Sequence, residues 1–221
     1  MKDYRLVIFD WDGTLMDSVQ RIVNAMEAAA QVCGIAVPSD TEIKGIIGLS
    51  LERAIETLFP DSNDEILLQL SQAYQQCYLD FAHVPSPLFD NSISLLSRLA
   101  VEGRLLAVAT GKKRTGLNKV LQSSNTRHFF NATRCASECI SKPHPQMLKQ
   151  LLDELEIGNE QAVMIGDSPL DLKMANAANI DAIAITHGAG NAEELQVHSP
   201  VHMVDDLYEL EEVLFHVNLA R

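Results

Sequence analysis

Positive charge is scarce in this chain. It carries 17 Lys and Arg against 30 Asp and Glu, a formal net charge of −13. Gripping a nucleic-acid backbone or an anionic membrane surface needs a basic face. The densest basic cluster is Lys112, Lys113 and Arg114, and three residues do not make a groove. Neither partner is expected. Long apolar runs are also missing: no stretch reaches 18 residues, so no membrane span is expected. The opening Met1-Lys2-Asp3-Tyr4-Arg5 runs into a short apolar strand and then acids, unlike a secretory leader. The expected compartment is the cytoplasm. Cysteine is limited to Cys33, Cys77, Cys135 and Cys139. Only the last two are close, as C-x3-C, and no His or Cys completes a zinc set nearby. Structural thiols are expected. The seven histidines show no ligand spacing, and there is no internal repeat or low-complexity tract.

What is present is the balance of an ordinary globular protein. Apolar residues make up 47% of 221, and Gly and Pro number 11 and 8. That length suits one large domain, or a domain with a smaller second one.

Leu6-Val7-Ile8-Phe9 reads as a buried strand that stops at Asp10. Residues 17–84 then read as helical throughout. Asp17 with Gln20, and Ser39 with Glu42, have the capping-box pattern. Helices are expected from Val19 to Cys33, from Ser50 to Phe59 and from Asp64 to Ala82. Val84-Pro85-Ser86-Pro87 is a stiff connector. Beyond it strands alternate with helices. Strands are expected at 105–109, within 129–135, at 162–165, 182–185 and 201–204. Helices are expected at 91–101, 112–123, 145–155 and 169–178, with a last one ending near Val217. This alternation implies a parallel sheet covered on both faces. The fold expected is α/β, a Rossmann-like core made of 1–16 and 85–221. A small all-helical domain, 17–84, is inserted after the first strand. Connectors at 13–17 and 83–88 are the expected hinges.

Open α/β sheets bind ligands at the carboxyl ends of their strands. Asp10, Thr110 and Asp167 all stand there. In Asp10-Trp11-Asp12-Gly13-Thr14 the two acids point to the same side of an extended segment. Carboxylates this close need a cation, or one must hold a proton. A calcium loop starting at Asp10 would need Gly and Glu where Leu15 and Arg21 stand. Taken alone, the segment could be a turn. Thr110-Gly111 before a helix can bind an anion, or simply cap the helix. Lys142, between Ser141 and Pro143, is either held in place by the flanking prolines or solvated. In Gly166-Asp167-Ser168-Pro169-Leu170-Asp171, capping accounts for Ser168, Pro169 and in part Asp171, but not for Asp167.

These four segments, in this order, resemble the motifs of the haloacid dehalogenase superfamily. Ala109-Thr110-Gly111-Lys112 and Ser141-Lys142-Pro143-His144-Pro145 look most like its phosphoglycolate-phosphatase-like branch, and the helical insert resembles that family's small cap. The resemblance implies a phosphatase acting on a small phosphorylated metabolite, as monomer or homodimer. It implies Asp10 as nucleophile and Asp12 as acid and base. Thr110, Gly111 and Lys142 would bind the phosphoryl group, with Lys142 also reaching Asp10. Mg²⁺ would be held by Asp10, the Asp12 carbonyl and Asp167, with Asp171 acting through water. Trp11, larger than the usual residue, is expected to pack away from the site. In the cap, Lys44, Gly48, Ser50 and Arg53 are candidates for contacting the leaving group. A phosphomutase would use the same residues. A phospho-accepting signalling domain would share Asp, Thr and Lys, but Asp12 would shorten the life of its acyl phosphate.

Overall fold

A computed structural model describes residues 2–215. Leu6–Phe9 forms strand β1, buried at every position. Four helices follow: α1 (Val19–Val32), α2 (Asp40–Gly45), α3 (Leu51–Leu58) and α4 (Asp64–Asp80). The rest alternates: α5 (Ser92–Val101), β2 (Leu105–Thr110), α6 (Arg114–Ser123), β3 (Ala132–Cys135), α7 (Gln146–Leu155), β4 (Ala162–Gly166), α8 (Pro169–Ala178), β5 (Asp181–Ile185), α9 (Ala192–Gln196), β6 (His202–Val204) and α10 (Leu207–Leu214). The strands form one parallel sheet in the order β3-β2-β1-β4-β5-β6, a Rossmann-like arrangement.

Alternate residues of each strand feed opposite faces of the sheet. Val7, Phe9, Val108 and Ile165 pack with Leu95 and Leu99 of α5, Leu117 of α6 and Leu210 of α10. Leu6, Ile8, Ala107 and Met164 pack with Leu148 of α7, Leu172 of α8 and Leu195 of α9. Three layers result. Phe9 lies opposite Val108 on one side and Ile165 on the other. The strand-end residues Asp10, Thr110 and Asp167 therefore emerge side by side.

The four helices after β1 have an apolar core of their own, including Val23, Met26, Ile43, Ile55, Phe59 and Leu70. The chain leaves for them and returns from them along adjacent paths. Met16 and Leu88 form an antiparallel bridge, Asp17 N donates to Pro87 O and Phe89 N to Leu15 O.

Local signals explain most ends. Ser39 and Glu42 make the capping box expected of them. Ser50 caps α3, and Asn63 caps α4. The pairing of Asp17 with Gln20 does not form: Ser18 occupies the cap position, and Gln20 bonds Asn24 instead. The Ser18 hydroxyl is drawn away to Asp12, which explains why α1 begins without a side-chain cap. Helix α9 was not expected from the periodicity. The expected end of α10, Val217, lies outside the described residues.

Candidate active site

Asp10 is held one residue beyond β1, where its N–H donates to Ile165 O. Its carboxylate is 2% exposed, and burial pushes it well above the usual carboxylate range. Lys142 Nζ lies 2.8 Å from Asp10 Oδ1 and 2.7 Å from Asp171 Oδ1. Burial alone would lower the lysine; Asp10 and Asp171 more than offset that and raise it, so it stays charged. The Lys142 contact to Asp10 is an ion pair off the direction of a hydrogen bond, and Asp10 Oδ1 is buried without a hydrogen-bond partner.

Asp167 follows β4 and is equally buried. Its Oδ1 accepts from Thr14 Oγ1 at 2.6 Å and its Oδ2 from Ala189 N at 2.8 Å. Desolvation first, then the neighbouring Asp171, pushes it up to about 7 despite those donors. A Cβ on Gly13 would fall 2.2 Å from Asp167 Oδ2, so only glycine fits beside it. Asp171 serves two ends. Its Oδ2 accepts from Ser168 N and Oγ at the start of α8, while its Oδ1 faces Lys142.

Carboxylate oxygens of Asp10, Asp167 and Asp171 all lie within 4.8 Å of one another. One lysine faces three buried acids, and one oxygen has no hydrogen bond. Hard divalent cations take such oxygen ligands and supply the missing charge. The donor set therefore fits a hard divalent cation.

Asp12 stands apart from this cluster. Its Oδ1 accepts from Ser18 Oγ at 2.5 Å and pairs with Lys112 Nζ at 2.8 Å. The sequence sets Lys112 in a basic cluster and in the Ala109–Lys112 segment, but names no partner for it. No spacing rule joins residues 100 apart. Trp11, fully buried, turns into the core, with its N–H on Met16 Sδ and its ring edge-on to Phe130. Thr110 is buried at the end of β2, and Gly111 follows it. A Cβ on Gly111 would lie 2.4 Å from the carbonyl oxygens of Gly48 and Leu49. The helical insert thus rests backbone to backbone on the strand end. Ser50 N donates to Ser141 Oγ at 2.8 Å, and Lys113 pairs with Glu52 across the same seam.

Of the insert residues singled out, Gly48 and Ser50 are brought to the site. Lys44 and Arg53 are not: half-buried Lys44 pairs with Asp40 and exposed Arg53 with Glu56, each within its own helix. Each has a partner one helical turn away, which holds it at the surface. A histidine without a ligand pattern does reach the site's edge. His187 stacks on Phe89 at 3.7 Å, its Nε2 contacts Thr14 O at 3.1 Å, and burial lowers its pKa.

Three comparisons bear on this arrangement. The model of the haloacid dehalogenase-like hydrolase family matches residues 7–185. A phosphoglycolate phosphatase of Vibrio cholerae is 29% identical, over 97% of this chain and 98% of its own. The crystal structure of a haloacid dehalogenase-like hydrolase from Bacteroides fragilis superposes with a TM-score of 0.86 at 25% identity, covering 94% of this chain and 99% of that one. A haloacid dehalogenase-like family hydrolase from Streptococcus pneumoniae gives 0.82 at 26%, covering 99% and 100%. With a family match over most of its length and the family's acids gathered at the strand ends, the chain belongs to the haloacid dehalogenase-like hydrolases.

Proposed function

We propose that the protein is a Mg²⁺-dependent phosphatase that hydrolyses a small, phosphoglycolate-like monoester through an aspartyl-phosphate. The observation that carries this is the buried convergence of Asp10, Lys142 and Asp167, with Asp12 close by and separately held. The name of the Vibrio cholerae relative supports the substrate class.

In this reading Asp10 attacks phosphorus in line and the ester oxygen departs. Asp12 protonates that oxygen. It then takes a proton from the water that cleaves the acyl phosphate, so that inorganic phosphate leaves and Asp10 is restored. The Thr110 hydroxyl, the Gly111 N–H and the Lys142 ammonium stabilise charge on the phosphoryl oxygens. Asp10, the Asp12 carbonyl and Asp167 would hold Mg²⁺, with Asp171 acting through water. When bound, the ion offsets repulsion between these acids and a dianionic ester. Residues 17–84 serve as a cap, and 1–16 with 85–221 as the core. Gly48 and Ser50 border the leaving group. Among the described residues no helix is long and apolar enough to cross a membrane. We place the enzyme in the cytoplasm.

The test is Asp10→Asn, assayed for phosphate release from an aryl phosphate. Activity should fall at least ~10³-fold, as when other nucleophiles are removed, with melting still cooperative. Chelation should silence the wild type, and Mg²⁺ should restore it. Normal turnover by the variant would end this reading.

A further inference from the structure

We propose that Lys112 is a specificity-determining residue that pairs with a second anionic group on the leaving alcohol, exchanging Asp12 for it. This rests on the phosphatase reading and assigns the residue that would read the second acidic end of such an ester.

The argument begins with charge. A cavity of about 510 Å³ lies between the helical insert and the start of α6, and Asp12 forms part of its wall. Such a volume falls among sites for drug-sized ligands, ~300–1,000 Å³, so there is room beyond a phosphoryl group. The chain has 30 acids and 17 basic residues. Among the described residues, this wall carries four basic ones, Arg21, Lys112, Lys113 and Lys119, and one acid, Asp12. In a molecule of net charge −13, this is a local reversal of sign. It suits an anion, since like-charged clefts raise the local concentration of opposite charge.

The cations are not equivalent. Lys113 is paired with Glu52. Arg21 is committed to Tyr78 O, at 3.1 and 2.6 Å, and its guanidinium lies 4.2 Å from the Tyr78 ring centre. Lys112 is the one beside the acid–base. Its side chain is 12% exposed, its Nζ is 2.8 Å from Asp12 Oδ1, and it lies 5.5 Å from the centre of the Tyr78 ring. A buried ammonium needs an anion. Asp12 can release it, because Asp12 Oδ1 keeps the Ser18 hydroxyl. A leaving group with its own anion could take Asp12's place on Lys112 and free Asp12 for the ester oxygen. The other wall, with Met26, Ile47, Leu49, Tyr74 and Tyr78, is apolar and aromatic and suits a carbon body between the two charged ends.

Three esters matched in ring and phosphoryl group test this: 4-carboxyphenyl phosphate, 1,4-phenylene bisphosphate and the neutral 4-carbamoylphenyl phosphate. The wild type should favour one or both anionic esters over the neutral one by about tenfold or more in kcat/KM. Which one is favoured tells carboxylate from phosphate. In Lys112→Met the ratio should fall to within about threefold, and Lys112→Arg should keep most of it. A role confined to holding Asp12 would lower all three rates and leave the ratio intact, which overturns the proposal. So does a wild type with no preference. If Lys112→Met does not fold, Tyr78→Leu, which removes the ring beside the ammonium, must lower the ratio instead; an unchanged ratio overturns the proposal. If the wild type hydrolyses none of the esters, the phosphatase reading fails separately. Calorimetry with 4-phosphonobenzoate and phenylphosphonate then decides: tighter, Lys112-dependent binding of the former supports the proposal, and equal binding overturns it.

Discussion

Asp167 is held by groups that share no stretch of sequence with it. Thr14 donates from the turn after β1, Ala189 from the loop after β5, and Gly13 leaves the space its oxygen occupies. Gly13 also has φ +80, where a side chain is strained. Gly13→Ala should therefore cost ~1–3 kcal/mol and lower kcat/KM at least tenfold, because Asp167 must move. Thermal melting and steady-state kinetics read the two effects separately. Asp10, Thr110, Lys142 and Asp167 were legible because each stands at the end of a strand or just before a proline-rich turn, where local pattern has meaning. The ties of Thr14 to Asp167, of Lys112 to Asp12 and of His187 to Thr14 were not. Those partners meet only after the sheet has set its order, and no spacing records the meeting.

Among the elements, α10 shows how a peripheral helix is fixed. Glu211 accepts from Asn91 Nδ2 and Arg98 Nη1, both at 2.7 Å, tying α10 to the start and end of α5. The Asn91 bond first, then Arg98, holds its carboxyl below the usual 4.5. The folded protein thus binds this proton less readily than the unfolded chain. The stabilisation is present above about pH 4.5 and is lost as pH falls through the lower folded value. Glu211→Gln should cost ~0.5–1 kcal/mol at pH 7, and the difference from wild type should shrink as pH falls below 4.5 in denaturant titrations. Strands were read correctly from short apolar runs that alternate with helical stretches. Element ends were less legible. Helix α6 starts at Arg114, two residues late, because Lys112 and Lys113 reach to Asp12 and Glu52 from the loop before it. Helix α9, only five residues long, is too short for a 3.6-residue period to show.

For the molecule as a whole, the three buried acids are an electrostatic load when no cation is bound. Asp167 is raised from 3.8 to about 7, so the folded state holds its proton more tightly than the unfolded one. Its contribution to stability is full below about pH 4 and is lost as pH rises through 7. Metal-free wild type should thus lose stability relative to Asp167→Asn over that range, by more than ~1.4 kcal/mol, the worth of one pKa unit. Added Mg²⁺ should raise the melting temperature of the wild type at pH 8 more than that of the variant, by mass action. Equal curves in both would show that the carboxylate carries no such load. The bridge between Met16 and Leu88 has a different consequence. Chain departs from the sheet and rejoins it at neighbouring points, so the strands register nothing of how much polypeptide is spliced between. A longer, shorter or foreign insert could be grafted at that junction while the acid-bearing ends stay in line, and bond-breaking and choice of substrate could be altered independently.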